Sequence, residues 1–71
     1  MYLKRLKDLR EDKDLYQKDI AQILNISQQY YSEYETGKRG IPLELLIILS
    51  QFYNVSTDYI LELSNKKERL K

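Results

Sequence analysis

Between Gln17 and Thr36 the chain carries a pattern that few backbones can satisfy: Ile20, Ala21 and Leu24, then Asn25 and Ile26, then Tyr31 and Tyr34 three apart. Ile20, Ala21 and Leu24 fall at i, i+1 and i+4, which puts one apolar face on a helix of about two turns, Gln17 to Leu24. Asn is the best non-glycine residue for the left-handed conformation that ends a helix and turns the chain sharply, so Asn25 stops it. Ile26 then plugs the corner. Ser27 stands where it can cap a following helix, Gln28 to Thr36, a role worth about 1 kcal/mol. Gly37 ends that helix.

Two short helices that cross steeply need a small side chain where their backbones meet, which Ala21 supplies, and apolar residues on both inner faces. Each of these seven positions is weak evidence alone. Together they form the constraint set of a helix-turn-helix. The remaining chain also reads as helical, because it has only two glycines and one proline. A first helix over residues 2–12 carries Leu3, Leu6 and Leu9 on one face. Pro42 opens a fourth helix over residues 42–53, apolar almost all round, as a helix is when it is central to a core or covered by another chain. Asn54 and Val55 make the next corner. Ser56 or Thr57 caps a fifth helix running through Leu63, and residues 64–71, SNKKERLK, extend it or fray.

Composition narrows what such a chain can do. Seventy-one residues make one domain, with no room for a second module. There is no cysteine and no histidine, which removes disulfides, thiolate metal sites and the commonest general base, so neither an enzyme nor a metal or other cofactor is expected. With 42% apolar and 32% charged residues the chain is foldable and not disordered. The longest apolar run is five residues, Leu45 to Leu49, too short to span a membrane, and the N-terminus MYLKRLKDLR is charged throughout, so a cytoplasmic protein is expected.

The net charge of +1 conceals an uneven layout. Residues 1–13 carry net +2, 14–27 net −1, 28–40 net zero, 41–63 net −3 and 64–71 net +3. Basic groups therefore sit at the two ends and at one short turn, Lys38 and Arg39. Distribution of charge matters more than its sum for a partner such as nucleic acid.

Through LKDLRED, QKDIAQILNISQQYYSEYETGKR and IPLELLIILSQFYNVSTDYIL the chain resembles the Cro/CI-type (XRE-type) helix-turn-helix regulators of bacteria and their phages. The resemblance covers about residues 3–63. It implies an all-α, five-helix, lambda-repressor-like DNA-binding domain over residues 1–63, followed by a basic tail over 64–71. It also implies that the third helix enters the major groove of double-stranded DNA, usually as one half of a homodimer on a palindromic operator. The SQQ that opens this helix is similar to that of lambdoid phage repressors, in which two successive glutamines read bases.

Helical geometry agrees with that implication. At about 100° per residue, Tyr31, Tyr34 and Glu35 share one side of the third helix. Gln29 and Glu33 lie opposite, flanked by Gln28 and Ser32, with Tyr30 between the faces. Amides and carboxylates read base edges: Gln pairs bidentately with adenine, and Glu accepts from the cytosine amino group. Gln28, Gln29, Ser32 and Glu33 are thus the base-reading candidates, although glutamines also simply solvate surface helices. Gln17 stands where the family's glutamine binds a backbone phosphate, at a helix N-terminus that favours an anion, and it could equally cap its helix. Tyr30, Thr36, Lys38 and Arg39 are the other backbone candidates. In related repressors the residues matching Arg10 and Glu35 form a largely buried ion pair, and the same is expected here. The sequence departs from the family at Asn25, where glycine is commonest, and at Glu33, whose negative charge either reads a base or discriminates against wrong sites.

The fourth helix, with Leu43, Ile47 and Ile48, is more apolar than one small core needs, and Ile48 stands where the family often carries a polar residue. A homodimer contact through the fourth helix, the fifth or the tail would bury the excess, and a tightly wrapped monomer would also account for it. The leading expectation is a sequence-specific transcriptional repressor, since repression needs only occupancy of a site. The alternative is a protein-interaction module of the same fold, an antitoxin or anti-repressor partner. No small-molecule ligand is indicated.

Overall fold

The computed structural model describes residues 2–67 and is all-helical, with five helices and no strand among them. The helices are α1 (Lys4–Asp12), α2 (Gln17–Leu24), α3 (Gln28–Thr36), α4 (Leu43–Tyr53) and α5 (Thr57–Ile60). The chain divides into two units, Met1–Gly40 and Ile41–Lys71.

In the first unit α2 and α3 have the bounds expected. Asn25 takes φ 56°, ψ 45°. Its N–H donates to the Gln22 carbonyl at 3.1 Å and that of Ile26 to Ala21 at 3.0 Å, the paired bonds of a Schellman motif. Ala21 is buried, as the close approach of α2 to α3 requires. Ser27 Oγ accepts from the Tyr30 N–H at 3.1 Å, so the expected cap is present. At the start of α2, Asp19 Oδ2 accepts from the Tyr16 N–H at 2.8 Å. Asp19 therefore fills the capping role considered for Gln17. Leu3, Leu6, Leu9, Ile20, Leu24, Tyr31 and Tyr34 are all buried.

The first helix begins two residues later than expected. Leu3 has ψ 69°, outside the helix, and its N–H donates instead to the Glu35 carbonyl of α3 at 3.3 Å. The helix ends at a corner not foreseen: Asp14 takes φ 56°, with Asp14 N–H on Glu11 and Leu15 N–H on Arg10.

In the second unit Pro42 is the cap of α4 and not its first residue. Its ψ of 145° is extended, and its carbonyl accepts from the N–H groups of both Leu45 and Leu46 at 3.1 Å. Asn54 repeats the geometry of Asn25, with φ 56° and the same pair of bonds from Asn54 and Val55. Leu46, Leu49, Tyr53, Val55 and Ile60 are buried. Ser56 caps α5 through the Tyr59 N–H at 3.0 Å.

Helix α5 is a single turn that stops at Ile60, short of the expected Leu63. Glu62 takes φ 61°, and the N–H groups of Glu62 and Leu63 close a fourth Schellman pair on Tyr59 and Asp58. The chain after it neither continues the helix nor frays as far as Lys67. It folds back, so that the Ser56 N–H donates to the Lys67 carbonyl at 2.9 Å. Residues 68–71 of the expected tail lie outside the described residues.

A left-handed backbone costs an ordinary L-residue about 1–2 kcal/mol, less for Asn. Asn25→Ala is therefore expected to lower stability by about 1 kcal/mol, while Asn25→Gly stays within about 0.5 kcal/mol of the parent. Urea unfolding of the two variants measures both.

Candidate nucleic-acid interface

Helix α3 has two unlike faces, and its sequence puts a carboxylate among aromatic residues on the inner one. Tyr31, Tyr34 and Glu35 are all buried, and Glu35 is only 2% exposed. A buried carboxylate needs charge-assisted hydrogen bonds, and Arg10 of α1 supplies them. Its Nε donates to Oε2 at 3.1 Å and its Nη2 to Oε1 at 2.9 Å, a bidentate pair. The third group, Nη1, donates to the Leu15 carbonyl at 3.0 Å, which fixes the corner after α1. The Gln17 amide also reaches Glu35 Oε1, at 3.5 Å.

Burial pushes the Glu35 pKa up, but the Arg10 hydrogen bonds, the Tyr31 hydroxyl, the Arg10 charge and the Gln17 amide together outweigh it. The carboxyl is held below its ordinary value of 4.5. Arg10 is raised in turn, first by its hydrogen bonds to Glu35. The expected ion pair is thus present, and it seats α3 against α1.

The opposite face of α3 is open. Gln28, Gln29, Ser32 and Glu33 line a concavity of about 600 Å³ with Gln17 of α2, Thr36 and Lys38. Seven of the nine residues expected to meet DNA therefore share one surface, and Tyr30 and Arg39 are not among its lining. These two lie together: the Arg39 guanidinium stacks over the Tyr30 ring, 4.8 Å from its centroid. Arg39 Nε also donates to Glu33 Oε1 at 3.1 Å, so the isolated negative charge expected on this face has a counter-ion. Gln29 Nε2 approaches the other oxygen of Glu33 at 3.5 Å. The Thr36 hydroxyl donates back to the Ser32 carbonyl at 3.0 Å, leaving its oxygen able only to accept. Lys38 is exposed and has no ion pair among the described residues.

Two features of this face were not anticipated. The Gln17 amide joins the buried pair to the concavity, a contact that depends on how α2 meets α3 and leaves no mark in composition. Beside it Tyr16 is 68% exposed, with Lys18 Nζ 5.6 Å from its ring centroid. An exposed aromatic beside a lysine at a helix start was the available signal. Among the described residues no group of three or more His, Cys, Asp or Glu is placed to hold a metal ion, and no helix is long and apolar enough to cross a membrane. In the second unit Leu43, Ile47, Ile48 and Phe52 of α4 are exposed, Leu43 by 65%.

Comparison with known proteins places this surface in context. The helix-turn-helix family model matches residues 6–60. The chain is 44% identical over 68 residues to the HTH-type transcriptional regulator ImmR of Bacillus subtilis, covering 92% of this chain and 54% of that protein. It is 42% identical over 53 residues to the antitoxin PezA of Streptococcus pneumoniae, covering 75% of this chain and 34% of PezA. It is 33% identical over 55 residues to the cryptic phage CTXphi transcriptional repressor RstR of Vibrio cholerae, covering 78% and 50%. The chain thus spans about half the length of ImmR and RstR and a third of PezA. No solved structure is a significant match.

Removing one partner of a buried pair leaves the other uncompensated, so Glu35→Gln is expected to cost about 3–5 kcal/mol, against under about 1 kcal/mol for a surface pair. Replacing both, Arg10→Met with Glu35→Leu, should cost much less. Because the folded pKa of Glu35 is lowered, its stabilisation is complete above 4.5 and disappears as pH falls through the lower folded value. Urea titrations of parent and Glu35→Gln across acid pH should therefore converge as the pH drops.

Proposed function

The chain belongs to the helix-turn-helix family of the XRE (Cro/CI) type, and we propose that it is a sequence-specific DNA-binding repressor of transcription. Residues 1–63 form its DNA-binding domain, and it acts in the cytoplasm by binding alone, without catalysis, metal or small-molecule ligand. One observation carries the reading: the amide and carboxylate face of α3, the Gln17 amide and Lys38 line a single open surface. Helix α3 enters the major groove, where Gln28, Gln29, Ser32 and Glu33 meet base edges. Gln17, Tyr30, Lys38 and Arg39 take the phosphates, and Thr36, whose hydroxyl hydrogen is already committed, contributes only after that bond opens. The resemblance to RstR, named a repressor, supports this direction of regulation.

The protein binds as a homodimer. The exposed apolar residues of α4 supply the contact, and the two α3 helices then lie about 34 Å apart on an inverted repeat. A second reading is favoured by the resemblance to the antitoxin PezA: in it the apolar, acidic second unit holds a protein partner. The two readings respond differently to salt. A DNA reader with about four phosphate contacts per subunit loses affinity with a log–log slope near −3 to −4 per subunit, whereas an apolar protein interface barely responds.

Selection of bound sites from random duplexes should return an inverted repeat. Gln28→Ala and Gln29→Ala are expected to relax base preference at single positions, with a loss of about 1–3 kcal/mol on the selected site. Lys38→Ala should weaken all sequences alike and reduce the salt slope by about 1. Equal loss on every sequence from the glutamine variants would contradict direct readout. Sedimentation that finds only monomer, with and without operator DNA, would contradict the homodimer.

A further inference from the structure

We propose that Glu33 and Arg39 form a filter against non-cognate DNA: Glu33 withholds Arg39 from phosphate and releases it only where a base amino group replaces Arg39 on the carboxylate. The inference rests on the DNA-binding reading of α3. It adds the pair of residues that separates right sites from wrong ones.

Three contacts hold Arg39 against α3. Its Nε donates to Glu33 Oε1 at 3.1 Å, its guanidinium lies over the Tyr30 ring, and its backbone N–H donates to the Glu33 carbonyl at 3.2 Å. The Glu33 side chain is 21% exposed and that of Arg39 52%. The acid is therefore the shielded partner and the cation the open one. A cation whose neighbour cancels its charge adds little to the general attraction for DNA. Lys38, one residue earlier, has no such counter-ion among the described residues.

A phosphate that captures Arg39 strips Glu33 of its counter-ion on a face surrounded by phosphates, where a bare carboxylate is repelled. The amino group of cytosine is a donor that a carboxylate accepts from in the major groove. Where such a base meets Glu33, the exchange conserves hydrogen bonds: Glu33 trades Arg39 for the amino group, and Arg39 trades Glu33 for phosphate. Adenine presents an amino donor there as well, whereas at guanine or thymine, which present none, the exchange loses one bond and leaves an unpaired charge. Discrimination then comes from what the wrong site fails to satisfy.

The test is binding of the parent, Glu33→Gln, Arg39→Ala and the double variant to a selected duplex and to a scrambled one across a salt series. For the parent, the scrambled-DNA slope should be shallower than the selected-site slope by about 0.9 per subunit, the value of one phosphate contact. Glu33→Gln should steepen the scrambled slope by that amount and reduce the ratio of selected to scrambled affinity roughly tenfold. In the Arg39→Ala background the same change should leave the scrambled slope where it was. Simple relief of repulsion by Glu33 would act equally in both backgrounds, and that result would overturn the filter. So would a scrambled slope that Glu33→Gln does not move. A parent that binds its selected site but shows either result loses the filter alone, and a parent that binds no DNA loses the filter and the DNA-binding reading together.

Discussion

A single buried carboxylate organises the first unit. Glu35 on α3 accepts a bidentate pair from Arg10 of α1 and a longer bond from Gln17, the first residue of α2, while the same arginine closes the corner at Leu15. Three helices thus meet at one charge. A buried ion pair of this kind adds little net stability over apolar packing, but it tolerates few geometries. Leucines at positions 10 and 35 would let α3 slide or rotate slightly against α1, whereas a two-bond fork fixes its rotation. The outward face of a recognition helix is useful only if its inward face is held that closely.

Much of this arrangement is legible in the sequence alone. Ala21, Asn25, Ser27 and Gly37 set the bounds of α2 and α3 because each meets a local backbone requirement that other residues meet badly. The periodicity of α3 separated its inner and outer sides, since helical geometry alone decides which residues share a face. The two missed helix ends, after α1 and after α5, have a common cause. Asp14 and Glu62 end their helices in the same left-handed geometry as Asn25 and Asn54, and both precede a leucine, as the two asparagines precede Ile26 and Val55. The repeated signal is a polar residue followed by an aliphatic one. It is obscured where the polar residue is a charged one with no special tolerance for that conformation.

The outer surface was less legible than the fold because contacts between exposed side chains depend on rotamers. Sequence placed Glu33 among the base readers and Arg39 among the phosphate contacts, and helical spacing could not pair them. Arg39 lies beyond the end of α3, where the chain has turned at Gly37 and no longer follows the 100° rule. The overall charge of +1 has a sharper meaning once the pair is seen. Part of the positive charge beside the outer face of α3 is cancelled locally, so a general attraction to a polyanion such as the proposed DNA partner would be weak unless particular contacts formed.

The chain's only two glycines, Gly37 and Gly40, bracket Lys38 and Arg39. Every other helix end uses a residue with a side chain, and Gly37 alone among the helix ends takes its positive φ, 86°, without strain. Gly40 has nothing within 4 Å of where a Cβ would stand, so crowding does not account for its lack of a side chain. Backbone latitude is therefore concentrated on either side of Lys38 and Arg39, next to a helix whose rotation is locked. In the proposed complex an irregular duplex would be met by resetting a four-residue segment, while the angle at which the helix addresses the bases stayed unchanged.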